Sequence, residues 1–219
     1  MNSAQAGALP VLYSFRRCPY AMRARLALAV SARAVEHREV VLRDKPAALI
    51  AASPKATVPV LVLPSGEVIE QSLAIMLWAL AQHDPERWLS PEGGTLDEAI
   101  ALISGNDGAF KFSLDRYKYP NRYPQENVGD EAAFALSHRA KCGTWLTTLN
   151  ARLHGGWLFG SQACLADMAI LPFVRQFAHT DPTWFVAQPW PDLIAWLQRF
   201  EASALYDGVM QKHAPWQPA

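Results

Sequence analysis

Ser14-Phe15-Arg16-Arg17-Cys18-Pro19-Tyr20-Ala21-Met22-Arg23-Ala24-Arg25 is the stretch whose reading decides the fold. The apolar run Leu9-Pro10-Val11-Leu12-Tyr13 ahead of it reads as a strand, and Leu26, Ala27 and Val30 continue a helical face behind it. Pro19 suits the first helical position, because its ring presets φ and its missing N–H would have no intrahelical partner there. Cys18 is then the N-cap, its sulfur facing the unpaired N–H groups of the first turn. Those groups and the helix dipole stabilise an anion, and Arg16, Arg17 and Arg23 add positive potential, so a lowered thiol pKa is expected. Position 21 is Ala, which reduces a Cys-Pro-Tyr-Cys dithiol pattern to one sulfur with no resolving cysteine nearby. A small buried structural cysteine is the competing reading, and the strand-to-helix setting argues against it.

Working outward, Val35 to Leu42 alternates enough for a second strand, and Pro46 to Ser53 suits a short helix before Pro54. Thr57 to Leu63 reads as a third strand, Pro64-Ser65-Gly66-Glu67 as a turn, and Val68-Ile69-Glu70 as the returning hairpin partner. Leu73 to Gln82 closes the unit as a helix. The order βαβαββα, with a proline at the mouth of the third strand, is a thioredoxin-like layout. Pro59 stands where that fold carries a cis proline, whose neighbouring N–H and C=O pair with a peptide-like ligand. An ordinary proline at a strand start is the bland alternative for Val58-Pro59.

After Gln82 strand-like alternation disappears. Residues 84–94, rich in Pro, Gly and charge, read as a linker, and 95–219 read as an all-helical domain. Apolar residues at three and four spacing run through 95–117, 129–154, 165–179 and 191–205, broken by Pro120, Pro124, Gly155-Gly156 and Pro182. The thioredoxin-like domain spans 8–83.

The chain has 219 residues, 51% of them hydrophobic and with no net charge, which suits one large domain or two small ones. Cys18, Cys142 and Cys164 are too few and too odd in number for a disulfide framework, and a reducing, cytoplasmic location is expected. Residues 1–9 lack the basic start and apolar stretch of a leader, and no run approaches the length of a membrane span. The scattered histidines, the absence of a phosphate loop and of a Gly-x-Ser-x-Gly elbow give no support to metal, nucleotide or triad chemistry. Between residues 15 and 55, nine Lys or Arg face three Asp or Glu, so an anionic ligand is drawn to that side. Without basic runs interleaved with aromatics, nucleic acid is not the expected partner.

Taken together, Cys18-Pro19-Tyr20-Ala21, Val58-Pro59 and Gln71-Ser72 resemble the cytosolic glutathione transferases, closest to the omega-type members with Cys-Pro-Phe-Ala or Cys-Pro-Tyr-Ala. The resemblance covers essentially the whole chain. It implies a thioredoxin-like domain followed by an all-α bundle, a homodimer, and glutathione as co-substrate. Gln71-Ser72 would hold the γ-glutamyl end, with Ser72 as the helix N-cap, although omega-type proteins usually carry Glu in place of Gln71. Glu70 would point the other way along its strand. Lys45 would reach the glycyl end, and Pro19, Tyr20, Val58 and Pro59 would complete the glutathione site. Tyr13 and Ser14, which in other classes hold the glutathione thiolate, are expected to pack the strand.

Two further stretches carry the resemblance. Gly160-Ser161-Gln162-Ala163-Cys164-Leu165-Ala166-Asp167 resembles the family's buried capping box, with Cys164 in place of the usual Ser or Thr and Asp167 carrying the cap as a structural residue. Phe110, Leu114 and Tyr117 fall on the helix that in similar proteins lines the second-substrate pocket, with Trp184, Phe185 and Trp190 as its roof. Their spacing is equally that of an ordinary core stripe. The activity implied first is a glutathione-dependent thiol transferase or reductase, by mixed disulfide at Cys18, with dehydroascorbate reduction and deglutathionylation as forms of the same chemistry. Conjugation of glutathione to an apolar electrophile is the alternative, and a non-catalytic binding module a further one. The second substrate is expected to be small and apolar or disulfide-containing.

Overall fold

Four short strands form one mixed sheet in the computed structural model, which describes residues 8–127 and 129–218. The stretch read for a leader lies largely outside the described residues. The strands are β1 (Val11–Ser14), β2 (Glu36–Glu39), β3 (Val60–Val62) and β4 (Val68–Ile69), in spatial order β2-β1-β3-β4. β1 runs parallel to β2, pairing Val11 with Glu36 and Ser14 with Glu39. It runs antiparallel to β3, which forms the expected hairpin with β4 around Gly66, a residue at φ 88° that suits glycine.

Helices α1 (Pro19–Val30), α2 (Ala47–Ala52) and α3 (Ser72–Gln82) complete the βαβαββα unit. α1 has no polar face: Ala21, Ala24 and Ala27 are buried, and so are Arg23 and Arg25. Alanines allow close approach, and α1 packs on α3 and on the late helix α10 (Ala204–Val209). Tyr13, Ala21, Val40, Leu49, Val58 and Val60 form an apolar cluster against which Cys18 rests.

The chain divides into two compact units, one ending at Glu86 and rejoined by residues from Ala202 onward, the other Arg87–Glu201. The C-terminal boundary therefore differs from the 95–219 domain expected from the sequence. α10 packs on α1, Pro215 bridges to Glu39 beside β2, and the Trp216 N–H donates to the Glu39 carbonyl at 2.9 Å. The expected linker is also not free chain. Trp88 is fully buried, its carbonyl accepts from Leu165, and Gly93 bonds the Phe159 carbonyl, all within the helical unit.

That unit contains α4 (Leu96–Gly105), α5 (Lys111–Lys118), α6 (Glu131–Asn150), α7 (Leu165–Ala178), α8 (Pro182–Val186) and α9 (Pro191–Glu201). The helix expected over 95–117 is interrupted by a wide turn at Asn106–Phe110, where Gly108 leaves helical geometry (φ −87°, ψ −105°). A Cβ at Gly105 would meet the Trp145 ring at 2.9 Å, so glycine there lets α6 come close to α4. Phe110, Leu114 and Tyr117 are buried, with Phe110 and Tyr117 packed on Phe177 at ring separations of 6.0 and 5.3 Å. Phe185 and Trp190 are buried with them. These contacts are those of a core stripe, the alternative the spacing equally allowed.

Asp167 behaves as its position at the start of α7 predicts. One carboxylate oxygen accepts from the Cys164 N–H at 2.9 Å, and the other from the Leu158 N–H and the Trp196 indole at 2.9 and 3.0 Å. Burial pushes its pKa up and these bonds oppose the shift. Cys164 and Cys142 are buried thiols with pKa values pushed up to about 12 by desolvation.

Candidate functional site

Cys18 opens α1 as expected, but its sulfur makes no capping hydrogen bond to the first-turn N–H groups. Cys18 is the N-cap of α1 in extended conformation, Pro19 occupies the first turn, and the Met22 N–H donates to the Cys18 carbonyl at 2.9 Å. The sulfur is partly buried and donates to the Val58 carbonyl at 3.7 Å, immediately before the cis bond to Pro59. Two influences therefore oppose each other at this sulfur. A donor bond to a carbonyl favours the protonated thiol, and a helix N-terminus favours the thiolate.

Arg25, seven residues after Cys18 and so near the same face of α1, adds a third influence that sequence reading assigned to its neighbours. Its guanidinium donates to the Ser14 hydroxyl (2.6 Å), the Phe15 carbonyl (3.3 Å), the Arg16 carbonyl (2.7 Å) and the Val209 carbonyl (2.9 Å). Burial lowers its pKa to about 10, while the charges of Glu39 and Cys18 act in the opposite direction. By reciprocity the cation stabilises negative charge on Cys18. Arg23, expected to add to that field, is fully buried, reaches the Ser72 hydroxyl at 3.5 Å and lies 5.4 Å from the Tyr20 ring centroid.

A cavity of about 190 Å³ gathers Tyr20, Thr57, Val58, Pro59, Glu70, Gln71 and Ser72. Five of these were singled out from sequence as a ligand site, and their convergence from α1, the loop before β3 and the start of α3 is a product of the fold. Gln71, not Ser72, is the N-cap of α3, so Ser72 is the first helical residue. Ser72 keeps its hydroxyl buried and gives the cavity a first-turn N–H. Glu70 does not point away as expected. It lies past the end of β4, where strand alternation no longer applies, and lines the cavity. Its carboxylate accepts from Ser53 Oγ at 2.5 Å and Lys55 Nζ at 3.3 Å, and these bonds hold its pKa below the ordinary value. Lys45 stands half-buried between Asp44 and α2 and is not among the residues lining this cavity.

Tyr13 and Ser14 are both buried and engaged. The Tyr13 hydroxyl accepts from Arg38 at 2.8 Å and its ring packs edge-on to Trp216, while Ser14 Oγ is held by Arg25. Both take the packing role expected of them. Among the described residues no group of three or more His, Cys, Asp or Glu side chains is arranged to hold a metal ion, and no helix is long and apolar enough to cross a membrane.

Comparison with known proteins adds the following. A model of the glutathione S-transferase N-terminal domain matches residues 12–88, and one of the glutathione S-transferase C-terminal domain matches residues 131–199. No curated protein sequence matches significantly. Among solved structures, a glutathione transferase family member from Pseudomonas fluorescens Pf-5, with two glutathione molecules bound, superposes with a TM-score of 0.79 at 18% identity, over 94% of each chain. Glutathione transferase Omega 3C from Trametes versicolor gives 0.75 at 19% identity, over 96% of this chain and 92% of that one. A glutathione S-transferase from Methylobacterium radiotolerans in complex with glutathione sulfonate gives 0.75 at 20% identity, over 97% and 99%. At these identities the likeness is one of fold.

Proposed function

The chain belongs to the glutathione S-transferase family, and from that premise we propose that it is a glutathione-dependent thiol transferase in which the Cys18 thiolate is the nucleophile. The observation that carries this reading is the placement of a lone sulfur at the N-terminus of α1, beside Val58 and the cavity at Gln71-Ser72. Structures with glutathione or glutathione sulfonate bound are among those sharing the fold, which supports glutathione as the ligand.

The γ-glutamyl carboxylate is received by the first-turn N–H groups and hydroxyl of Ser72, with Gln71 beside them. Glu70, kept ionised by Ser53 and Lys55, supplies for the γ-glutamyl ammonium the charge that Gln71 lacks. The ligand's cysteinyl backbone pairs with Val58, and its N–H, by engaging the Val58 carbonyl, replaces the Cys18 thiol as donor there. The sulfur is then left to the α1 N-terminus and the Arg25 cation, both of which favour the thiolate.

In the first step this thiolate attacks the glutathione sulfur of a mixed disulfide, the S–S bond breaks, and the substrate leaves as a thiolate that takes a proton from water. In the second, a glutathione thiolate attacks the Cys18 mixed disulfide, releasing oxidised glutathione and restoring Cys18. An external thiol is required because Cys142 and Cys164 are buried in the helical unit with pKa values near 12. Conjugation by glutathione held near Tyr13 or Ser14 is less well supported, since both side chains are buried and neither lines the cavity at Gln71-Ser72.

The test is glutathione-dependent turnover of a small mixed disulfide, run beside conjugation of an aromatic electrophile, for wild type and Cys18→Ser. Reduction that vanishes in the variant supports the proposal, while conjugation that survives or improves moves the chemistry to bound glutathione. The homodimer implied by the family resemblance is checked on the same samples by light scattering.

A further inference from the structure

A second cavity, of about 490 Å³, opens in the sheet unit between the β1–α1 turn, the chain leaving β2 and the C-terminal segment. It shares no lining residue with the cavity at Gln71-Ser72. Four cationic side chains line it, Arg16, Arg17, Arg43 and Lys212, against a single carboxylate, Glu39. Glu39 is already committed: one oxygen accepts from the Arg16 N–H at 2.7 Å and the other pairs with His37 at 3.1 Å. No described carboxylate forms an ion pair with any of the four cations. Apart from His213, the remainder of the wall is apolar, and it includes Leu42, 44% exposed, a large aliphatic side chain left facing solvent.

Four like charges drawn around one concavity repel one another, and the arrangement is relieved by a ligand carrying several negative charges. Guanidinium groups match phosphate oxygens two at a time, and three of the four cations are arginines. The volume is in the range of small-molecule sites, large enough for a diphosphate together with a ring system. We infer that this cavity binds a phosphorylated small molecule of nucleotide size, with its phosphates on Arg16, Arg17, Arg43 and Lys212 and its ring against the apolar wall at Leu42. The site is separate from the cavity at Gln71-Ser72, its Arg43 and Lys212 take no part in the thiol transferase reading, and it survives if that reading fails.

The experiment is isothermal titration of the full chain, without divalent cations, using inorganic pyrophosphate and adenosine diphosphate as probes. The variant is Arg43→Glu with Lys212→Glu, both exposed residues outside the Cys18 site. Saturable binding of one equivalent is expected for both probes, with adenosine diphosphate several-fold tighter. Affinity should fall with rising salt, as charge-driven binding does, and at least tenfold in the double variant, whose melting temperature and glutathione-dependent activity stay at the wild-type level. Absence of saturable binding, or binding unchanged in the double variant, overturns the site. Equal affinity for the two probes overturns the role of the apolar wall.

Discussion

Replacing Arg25 by Met tests how far the nucleophile depends on a residue that never touches the substrate. Methionine keeps much of the length and apolar stem, so the main loss is the guanidinium and its four bonds to Ser14 Oγ and the carbonyls of Phe15, Arg16 and Val209. An acceptor stranded in the interior costs about 1–3 kcal/mol, and removing one partner of a buried charged network typically costs about 3–5 kcal/mol in all. Relief of the desolvation that already lowers the Arg25 pKa to about 10 offsets part of that. A loss of about 3 kcal/mol, in a chain of this length, lowers the melting temperature by roughly 10 °C. The same change removes a cation from beside Cys18. Alkylation of Cys18 by iodoacetamide should therefore become slower at neutral pH and its midpoint move to higher pH, while Arg25→Lys restores part of the shift by keeping the charge. An Arg25→Met protein that melts with the wild type and alkylates with an unchanged pH profile would refute the reasoning.

Other perturbations address other links. Glu70→Gln should raise the KM for glutathione roughly tenfold, about 1.4 kcal/mol of lost ion pairing, with kcat unaffected at saturation, and steady-state kinetics over glutathione concentration read the split. Asp167→Ala strands the Leu158 and Cys164 N–H groups and the Trp196 indole, and should cost about 3–5 kcal/mol by denaturant unfolding. Asp167→Asn keeps the oxygen but turns a donor toward one of those N–H groups, so it should fall between Ala and wild type. His213 stacks on His37 at 4.1 Å, and burial followed by repulsion from His37 and Arg25 lowers its pKa below 6.5, with Glu39 opposing. The unfolded chain therefore binds more protons, so this contribution to stability is complete above pH 6.5 and is lost as pH falls below it. His213→Phe, which keeps the stack, should flatten the fall in melting temperature between about pH 7.5 and about pH 5.5, a range in which histidine titrates. His138, also lowered by burial, leaves a residual slope.

Local rules made much of this molecule legible before its structure. Pro after Cys18 sets a helix start, a Pro-Ser-Gly turn sets a hairpin, and Asp three residues after Cys164 sets a cap. Each of these depends on residues within a few positions, and each is found where expected. What failed depended on distant partners or on where one rule stops. Arg25 received no reading of its own from the sequence, because its burial depends on α10 packing over α1. Glu70 was placed by strand alternation one residue after the strand ends. The docking of residues 202–218 on the sheet unit brings together segments nearly a whole chain apart, and no periodicity records that. Phe110, Leu114 and Tyr117 share one spacing for core and for pocket, and that spacing does not record the packing of Phe110 and Tyr117 on Phe177.

The central claim is that Cys18 carries glutathione covalently during turnover. Intact-protein mass spectrometry after mixing with oxidised glutathione, on wild type and on Cys18→Ser, tests it most directly. The account predicts a mass increase of one glutathione on the wild type, located by peptide mapping to Cys18, removed by reduced glutathione and absent from the variant. An adduct on Cys142 or Cys164 instead, or none on a folded wild type that turns over mixed disulfides, would contradict it.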